Sequence, residues 1–180
     1  VGHEKSKLDS GGAIAIADAA AYFHVDSATT SANIGGGAKI TNDQGNIAVG
    51  THADVDLDVR SAADTYGLAG APMGHAYATY NGAHSVTVGS GAELLADDGT
   101  IALRAGEDST GSHSVIKANS TVNLWNKTAI PINSTPDAQS IVENDASLNI
   151  LGASTKVMAS GDVDLAADRT GVTVYAHGIG

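Results

Sequence analysis

Ser31–Thr51 reads SANIGGGAKITNDQGNIAVGT, and the rest of the chain is organised around its recurrence. The pattern returns without a gap at Ser85–Ala105, SVTVGSGAELLADDGTIALRA. It returns more loosely at Ser147–Ala167, SLNILGASTKVMASGDVDLAA, so the copies start 54 and then 62 residues apart. Recurrence of this kind marks a repeat architecture, in which each unit buries its apolar face against the next.

Each copy reads alike. A short strand points Ala32 and Ile34, Val86 and Val88, or Leu148 and Ile150 to one face. A Gly-rich turn follows in the first two copies, Gly35–Gly37 and Gly89–Gly91, and then a second strand, Lys39-Ile40-Thr41 or Glu93-Leu94-Leu95. The next turn ends in Gly45, Gly99 or Gly161, where a positive φ is expected. The last strand keeps Ile47 and Val49, Ile101 and Leu103, Val163 and Leu165 in register, with Ala48, Ala102 and Asp164 facing out. In the third copy Lys156 stands where Ile40 and Leu94 stand, and Val157 takes the apolar role one place later. A one-residue shift swaps faces, so a bulge or slip is expected there.

Composition narrows the class. The chain has 180 residues, 42% of them hydrophobic, but Gly numbers 22 and aromatics make up only 4%. Small apolar side chains suit a narrow, regular stack better than a compact globular core. With no Cys, disulfides, thiol nucleophiles and thiolate metal sites are excluded. A net charge of −11, with nine Lys and Arg spread along the chain, argues against a nucleic-acid surface. Val1–Gly12 has no apolar signal-like run, and Gly11–Phe23 is interrupted by Asp18 and too short to span a bilayer.

Residues 1–10 read as a polar, flexible lead-in, and residues 11–180 as a single repeat segment cut from a longer chain. Ala13–Ala17 alternates Ala with Ile, and strand is preferred over a short helix for Ala19–Val25. Val55–Val59, Val122–Leu124 and Val172–Val174 also alternate. Gly67–Gly74, with Pro72, reads as a loop. Asn126–Asp137 holds the other two prolines and reads as an excursion that accounts for the longer second spacing.

The expected fold is all-β, a parallel β-helix. At roughly 20 residues per coil, the chain makes about eight coils, ~40 Å long at the strand spacing of a sheet. A β-sandwich with short strands is the alternative. The run Gly12–Ala17, followed by S-x-x-I-G-x-G-A-x-I-T-x-x-x-G-x-I-x-V at Ser31–Val49 and its echoes at Ser85–Leu103 and Ser147–Leu165, resembles the β-helical repeats of large haemagglutinin-like bacterial exoproteins of the filamentous-haemagglutinin type. That resemblance implies a right-handed coil, secretion through the outer membrane and a surface adhesin or fibre role.

Candidate chemistry is sparse. His3, His24, His52, His75, His84, His113 and His177 form no zinc-type pair and occupy unrelated columns of the repeat. Asp54, Asp56 and Asp58 share one strand face, which makes them the candidate for a Ca²⁺ site against the reading of a solvated face. With Arg60 they are also the candidates by charge for a uronate-processing enzyme, although no basic cluster faces them. Asn119, Asn126 and Asn133 begin sequons, which chance explains in so Asn/Ser/Thr-rich a chain. Tyr66, Tyr77 and Tyr80 near the Gly67–Gly74 loop, with Trp125, are the candidate ligand surface, against the reading that they pad the stack.

No catalytic residue and no cofactor other than Ca²⁺ is expected. The expected function is a structural or adhesive segment of a secreted bacterial surface protein, presenting loops to a host or neighbouring cell, a glycan or matrix. A self-assembling filament is the first alternative and a polysaccharide-active enzyme the second.

Overall fold

The computed structural model describes residues 1–180 and contains strands but no helix. Two long strands come first in their respective passes, β1 (Gly2–Ile34) and β4 (Asp54–Val88). Each is followed by two short ones, β2 (Lys39–Asn42) and β3 (Ile47–Thr51), then β5 (Glu93–Ala96) and β6 (Ile101–Ala105). In the third pass the long strand is split into β7 (Val115–Pro131) and β8 (Thr135–Ile150), followed by β9 (Lys156–Ala159) and β10 (Val163–Ala167). A final strand, β11 (Val172–Ile179), lies on β7.

The strands form three sheets, β1-β4-β7-β11 with β8 also on β4, β2-β5-β9, and β3-β6-β10. Every strand pair is parallel. Parallel pairing throughout excludes an antiparallel Ig-like sandwich.

The repeats are the register itself. Ser31 pairs with Ser85 and Ser85 with Ser147; Ile47 pairs with Ile101 and Ile101 with Val163. The spacing of the copies is therefore the length of one whole pass. The chain makes three passes and begins a fourth, which corrects the expected eight coils of about 20 residues. Gly11-Gly12, which punctuate the first strand in sequence, and Gly67, which opens the expected loop, are kinks within one constant register from Gly2↔Leu57 to Val25↔Tyr80, in which only Ala13 and Leu68 drop out of the pairing. φ is +150° at Gly12 and +129° at Gly67, and a Cβ on Gly67 would collide with the Gly12 carbonyl.

Three further expectations are corrected by the same ladder. Residues 2–10 are strand rather than a flexible lead-in, because their backbone pairs with Leu57–Thr65 whatever their side-chain polarity. Gly67–Gly74 is strand, not loop. The Asn126–Asp137 excursion shrinks to a break at residues 132–134 between β7 and β8.

The third-copy slip occurs where Lys156 predicts it. Glu93 pairs with Lys156 and Leu94 with Val157, one residue out of step with Val88↔Ile150, and the phase returns at Ile101↔Val163. The turn at residues 151–155 is one residue longer than its counterpart at 89–92, and the turn at 160–162 is one shorter than that at 97–100. Gly37, Gly91 and Gly152 carry the left-handed turn, at φ +70°, +73° and +80°. At the other turn only Gly45 has a positive φ. Gly99 is required there for another reason, since a Cβ would strike the Gly45 carbonyl of the pass beside it.

Two cores result. In the first, the two halves of each long strand face one another across the kink. Leu57, Val59, Ile116, Val122 and Leu124 pack against Ala17, Ala19, Ala21, Ala76, Ala78 and Tyr80. The gap is narrow: Ser61 Oγ donates to the Ala19 carbonyl and Ser120 Oγ to the Gln139 carbonyl, both at 2.6 Å. This explains the Ala–Ile alternation, in which Ala15 and Ala17 are buried while Ile14 and Ile16 face solvent. The second core gathers Ile34, Val86, Val88, Leu94, Ile101 and Leu103 inside the short strands. His84 is buried nearby, its Nδ1 2.6 Å from Thr30 Oγ1. Burial lowers its pKa from the usual 6.5, against a smaller upward pull from Asn144.

Leu103 is fully buried between Val49 and Leu165, whereas Leu165 in the same column is 48% exposed. Leu103→Ala is expected to cost about 2–5 kcal/mol, and Leu165→Ala under about 1 kcal/mol because little buried area is lost. Urea unfolding of the two variants checks this. Because His84 is held neutral, its contribution to stability is full above its unfolded pKa, about 6.5, and declines as pH falls towards the lower folded value. Melting temperature followed from pH 7.5 to 5 should drop in the parent and be flatter in His84→Gln.

Candidate functional site

The chain turns from the β3-β6-β10 sheet back to the long strands at one corner, and there the passes differ most. The connection is two residues, His52 and Ala53, in the first pass. It is nine residues, Gly106–Ser114, in the second and four, Asp168–Gly171, in the third. This insertion supplies seven of the eight residues by which the copy spacing grows, since β1–β4 pairs end 54 apart and β4–β7 pairs are 61 apart. The break between β7 and β8 supplies the last, raising the offset to 62. The extra length therefore sits mainly at the corner, not at Asn126–Asp137.

The inserted loop is a closed hairpin. Glu107 and His113 form an antiparallel bridge, and the Asp108 amide donates to the Ser112 carbonyl at 2.9 Å. Asp108 caps it, accepting from the Thr110 hydroxyl at 2.7 Å, the Thr110 amide at 2.8 Å and the Ser112 amide at 2.9 Å. These bonds, led by the Thr110 hydroxyl and the Ser112 amide, pull the Asp108 pKa down to about 2. Gly106 and Gly111 supply positive φ values of +89° and +90°.

The corner is tied across passes. The Ala53 amide donates to Ser114 Oγ at 3.1 Å, and His52 Nε2 lies 3.2 Å from the His113 carbonyl. His113 Nδ1 faces Asp168 Oδ2 of the third pass at 2.5 Å and Glu107 Oε1 at 3.5 Å. Glu107 turns its other oxygen to Arg104 Nε at 3.6 Å, and Arg104 Nη2 pairs with Asp164 at 2.6 Å. Asp168 is fixed by the Thr170 amide at 3.0 Å and hydroxyl at 2.7 Å. Burial raises the Asp168 pKa, but the Thr170 bonds and His113 together outweigh it, leaving the pKa lowered. Glu107, His113 and Asp168 are the one group of three His, Asp or Glu side chains whose ligand atoms gather within 4.8 Å of one another.

Residues expected from sequence fare differently. Asp54, Asp56 and Asp58 do not converge with one another as metal ligands do. Asp58 is paired with Arg60 at 2.7 Å, Asp56 lies beside Lys117 in register, and Asp54 accepts the Val115 amide at 3.3 Å. Asp56, Asp58 and Arg60 line an open groove of about 370 Å³ with His3, Asn119, Thr121 and Tyr175. Of the proposed aromatic surface, Tyr80 is corrected to a core residue, 1% exposed. Tyr77 lies on the other half of the long strand, donating its hydroxyl to Asp137, which pushes its own pKa up to about 12. Tyr66 and Trp125 do come together, with Lys127 Nζ 5.0 Å and 5.8 Å from their ring centres. The Asn126 side-chain amide donates to the Gly70 and Ile132 carbonyls at 2.6 and 3.0 Å, a structural role at the break between β7 and β8.

The Glu107–His113–Asp168 group is missed by sequence reading because Asp168 meets His113 at a separation of 55 residues, visible only once the length of a pass is known. Comparison with known protein families, with curated proteins and with solved structures finds no match.

Since the Asp108 pKa is depressed, the carboxylate stabilises the loop fully above the ordinary Asp value, about 3.9, and ceases to as pH falls through about 2. Hydrogen exchange at the Thr110 and Ser112 amides should stay protected to pH 3. The same amides should lose that protection at neutral pH in Asp108→Ala.

Proposed function

We propose that this chain is a rod segment of a secreted bacterial surface protein, wound as a closed right-handed parallel β-helix and serving adhesion. Its role is mechanical and presentational. The observation that carries the reading is how the core columns are completed. Along Ile47, Ile101 and Val163 of the short strands the exposure is 8%, 0% and 42%, so in this column the driest position is the one with a pass on both sides. A fold of this kind lengthens by adding passes and gains stability from each new interface. The right-handed crossover preferred by parallel strands gives the handedness.

Contact surface is supplied by the kinked edge of the long strands. Ile14, Ile16, Leu68 and Ile130 are each more than half exposed there, with Tyr66 and Trp125 close by. An exposed apolar and aromatic strip of this sort marks an interaction surface. Glycan, matrix or a neighbouring cell surface is the proposed partner. The second reading, self-assembly into a filament, is favoured by the unpaired strand edges at each end of the stack, which are ready templates for another copy. The enzymatic reading draws little support, since Asp58 is already neutralised by Arg60.

Electron microscopy and sedimentation of the purified chain test the assignment. Monodisperse particles that bind a glycan panel, with binding lost in Tyr66→Ala/Trp125→Ala, are expected. Regular fibres would favour the filament, and turnover of a polyuronate would overthrow both.

A further inference from the structure

The corner group is more than an ion pair. A carboxylate and an imidazole from the inserted loop meet a carboxylate from the next pass, and each brings one ligand atom within 4.8 Å of the other two. Tetrahedral zinc ligands at about 2.1 Å from the metal lie ~3.4 Å from one another. Glu107 Oε1 and His113 Nδ1 are 3.5 Å apart already, and the 2.5 Å contact from His113 Nδ1 to Asp168 Oδ2 needs only to open by about an ångström.

We propose that Glu107 Oε1, His113 Nδ1 and Asp168 Oδ2 bind a divalent first-row transition metal ion, which staples the inserted loop of the second pass to the turn of the third. The ion bonds to the Nδ1 lone pair of the neutral imidazole, whose single proton then sits on Nε2, having moved there through solvent where it was on Nδ1. One imidazole with two carboxylates suits zinc-like ions better than Ca²⁺, which takes an all-oxygen shell. The outer contacts are those of a metal site. Arg104 holds the unused oxygen of Glu107, and Thr170 fixes Asp168. Glu107 and Asp168 are 13% and 17% exposed while His113 is 57% exposed, so the group is open on one side for entry and for a water ligand. Other histidines lack this convergence. His75 turns its two ring nitrogens to two different carboxylates, Asp18 and Asp137.

The test is titration of the chelator-stripped chain with Zn²⁺ by calorimetry and with Co²⁺ by visible absorption. One saturable equivalent is expected, with a melting temperature that rises with Zn²⁺ concentration. Glu107→Gln, His113→Gln and Asp168→Asn should each weaken binding at least about tenfold, and Thr170→Ala by about tenfold through loss of orientation. Absence of a saturable equivalent, binding untouched by all these substitutions, or equal affinity for Ca²⁺ would overturn the proposal. Should a variant melt early without metal, the parent chain decides. Paramagnetic broadening by Co²⁺ centred on the amides of residues 106–114 and 168–171 supports the site, and broadening centred on His75 instead refutes it. Neither readout depends on whether the chain is a monomer or a filament, so this proposal and the adhesive reading fail separately.

Discussion

Leu103 packs between Val49 of one pass and Leu165 of the next, and the backbone ladder that aligns them is the constraint on which the rest depends. A parallel ladder places like position over like position, so a column must be apolar in every pass or its neighbours lose their cover. That is why Ile47, Ile101 and Val163 recur while the residues between them drift. It also explains the compensated slip in the third pass. An extra residue in one turn would turn every later core side chain outward, and the shortened turn that follows restores the phase.

The same ladder accounts for the composition. Where the halves of the long strands face each other, there is room on one side for little more than a methyl group. A Cβ on Gly74 would already come within 2.8 Å of Val122 Cγ1. Ala17, Ala19 and Ala21 therefore fill positions that in a thicker core would be Leu or Ile, and the bulk of Ile14 and Ile16 is displaced to the outer surface. The exposed isoleucines are thus a by-product of a thin core.

How much of this was legible in the sequence follows from what a single pass can encode. Strand, turn and register are local or recur in step, so the copies at Ser31, Ser85 and Ser147, the inward Val and Leu positions and the slip at Lys156 could all be read. The length of a pass could not, because a glycine that reads as the start of a loop can also be a kink inside a continuous strand, as Gly67 is. Tyr80 looked like a surface aromatic for the same reason: with Gly67–Gly74 read as a loop, its core-facing phase was hidden. The corner group was beyond reach, since His113 and Asp168 are neighbours only through the stacking.

Charge adds a second layer of register control. A column of identical charges along a parallel ladder is repulsive, and three columns of this chain alternate in sign, although Lys5 beside Arg60 and Asp9 beside Asp64 do not. Glu93 lies between Lys39 at 3.9 Å and Lys156 at 2.6 Å, and the Lys156 bond lowers its pKa. Asp56 sits beside Lys117, and Arg104 beside Asp164. Exposed pairs of this kind add little stability singly. Their value is discrimination: a ladder slipped by a whole pass would set like charge on like, which opposite-sign columns penalise. The corner escapes both rules. It lies outside the apolar columns, so seven residues could be inserted at Gly106–Ser114 with β6 and β7 still held in register on either side. Freedom from the ladder is what allows a cluster such as Glu107, His113 and Asp168 to form there and nowhere along the strands.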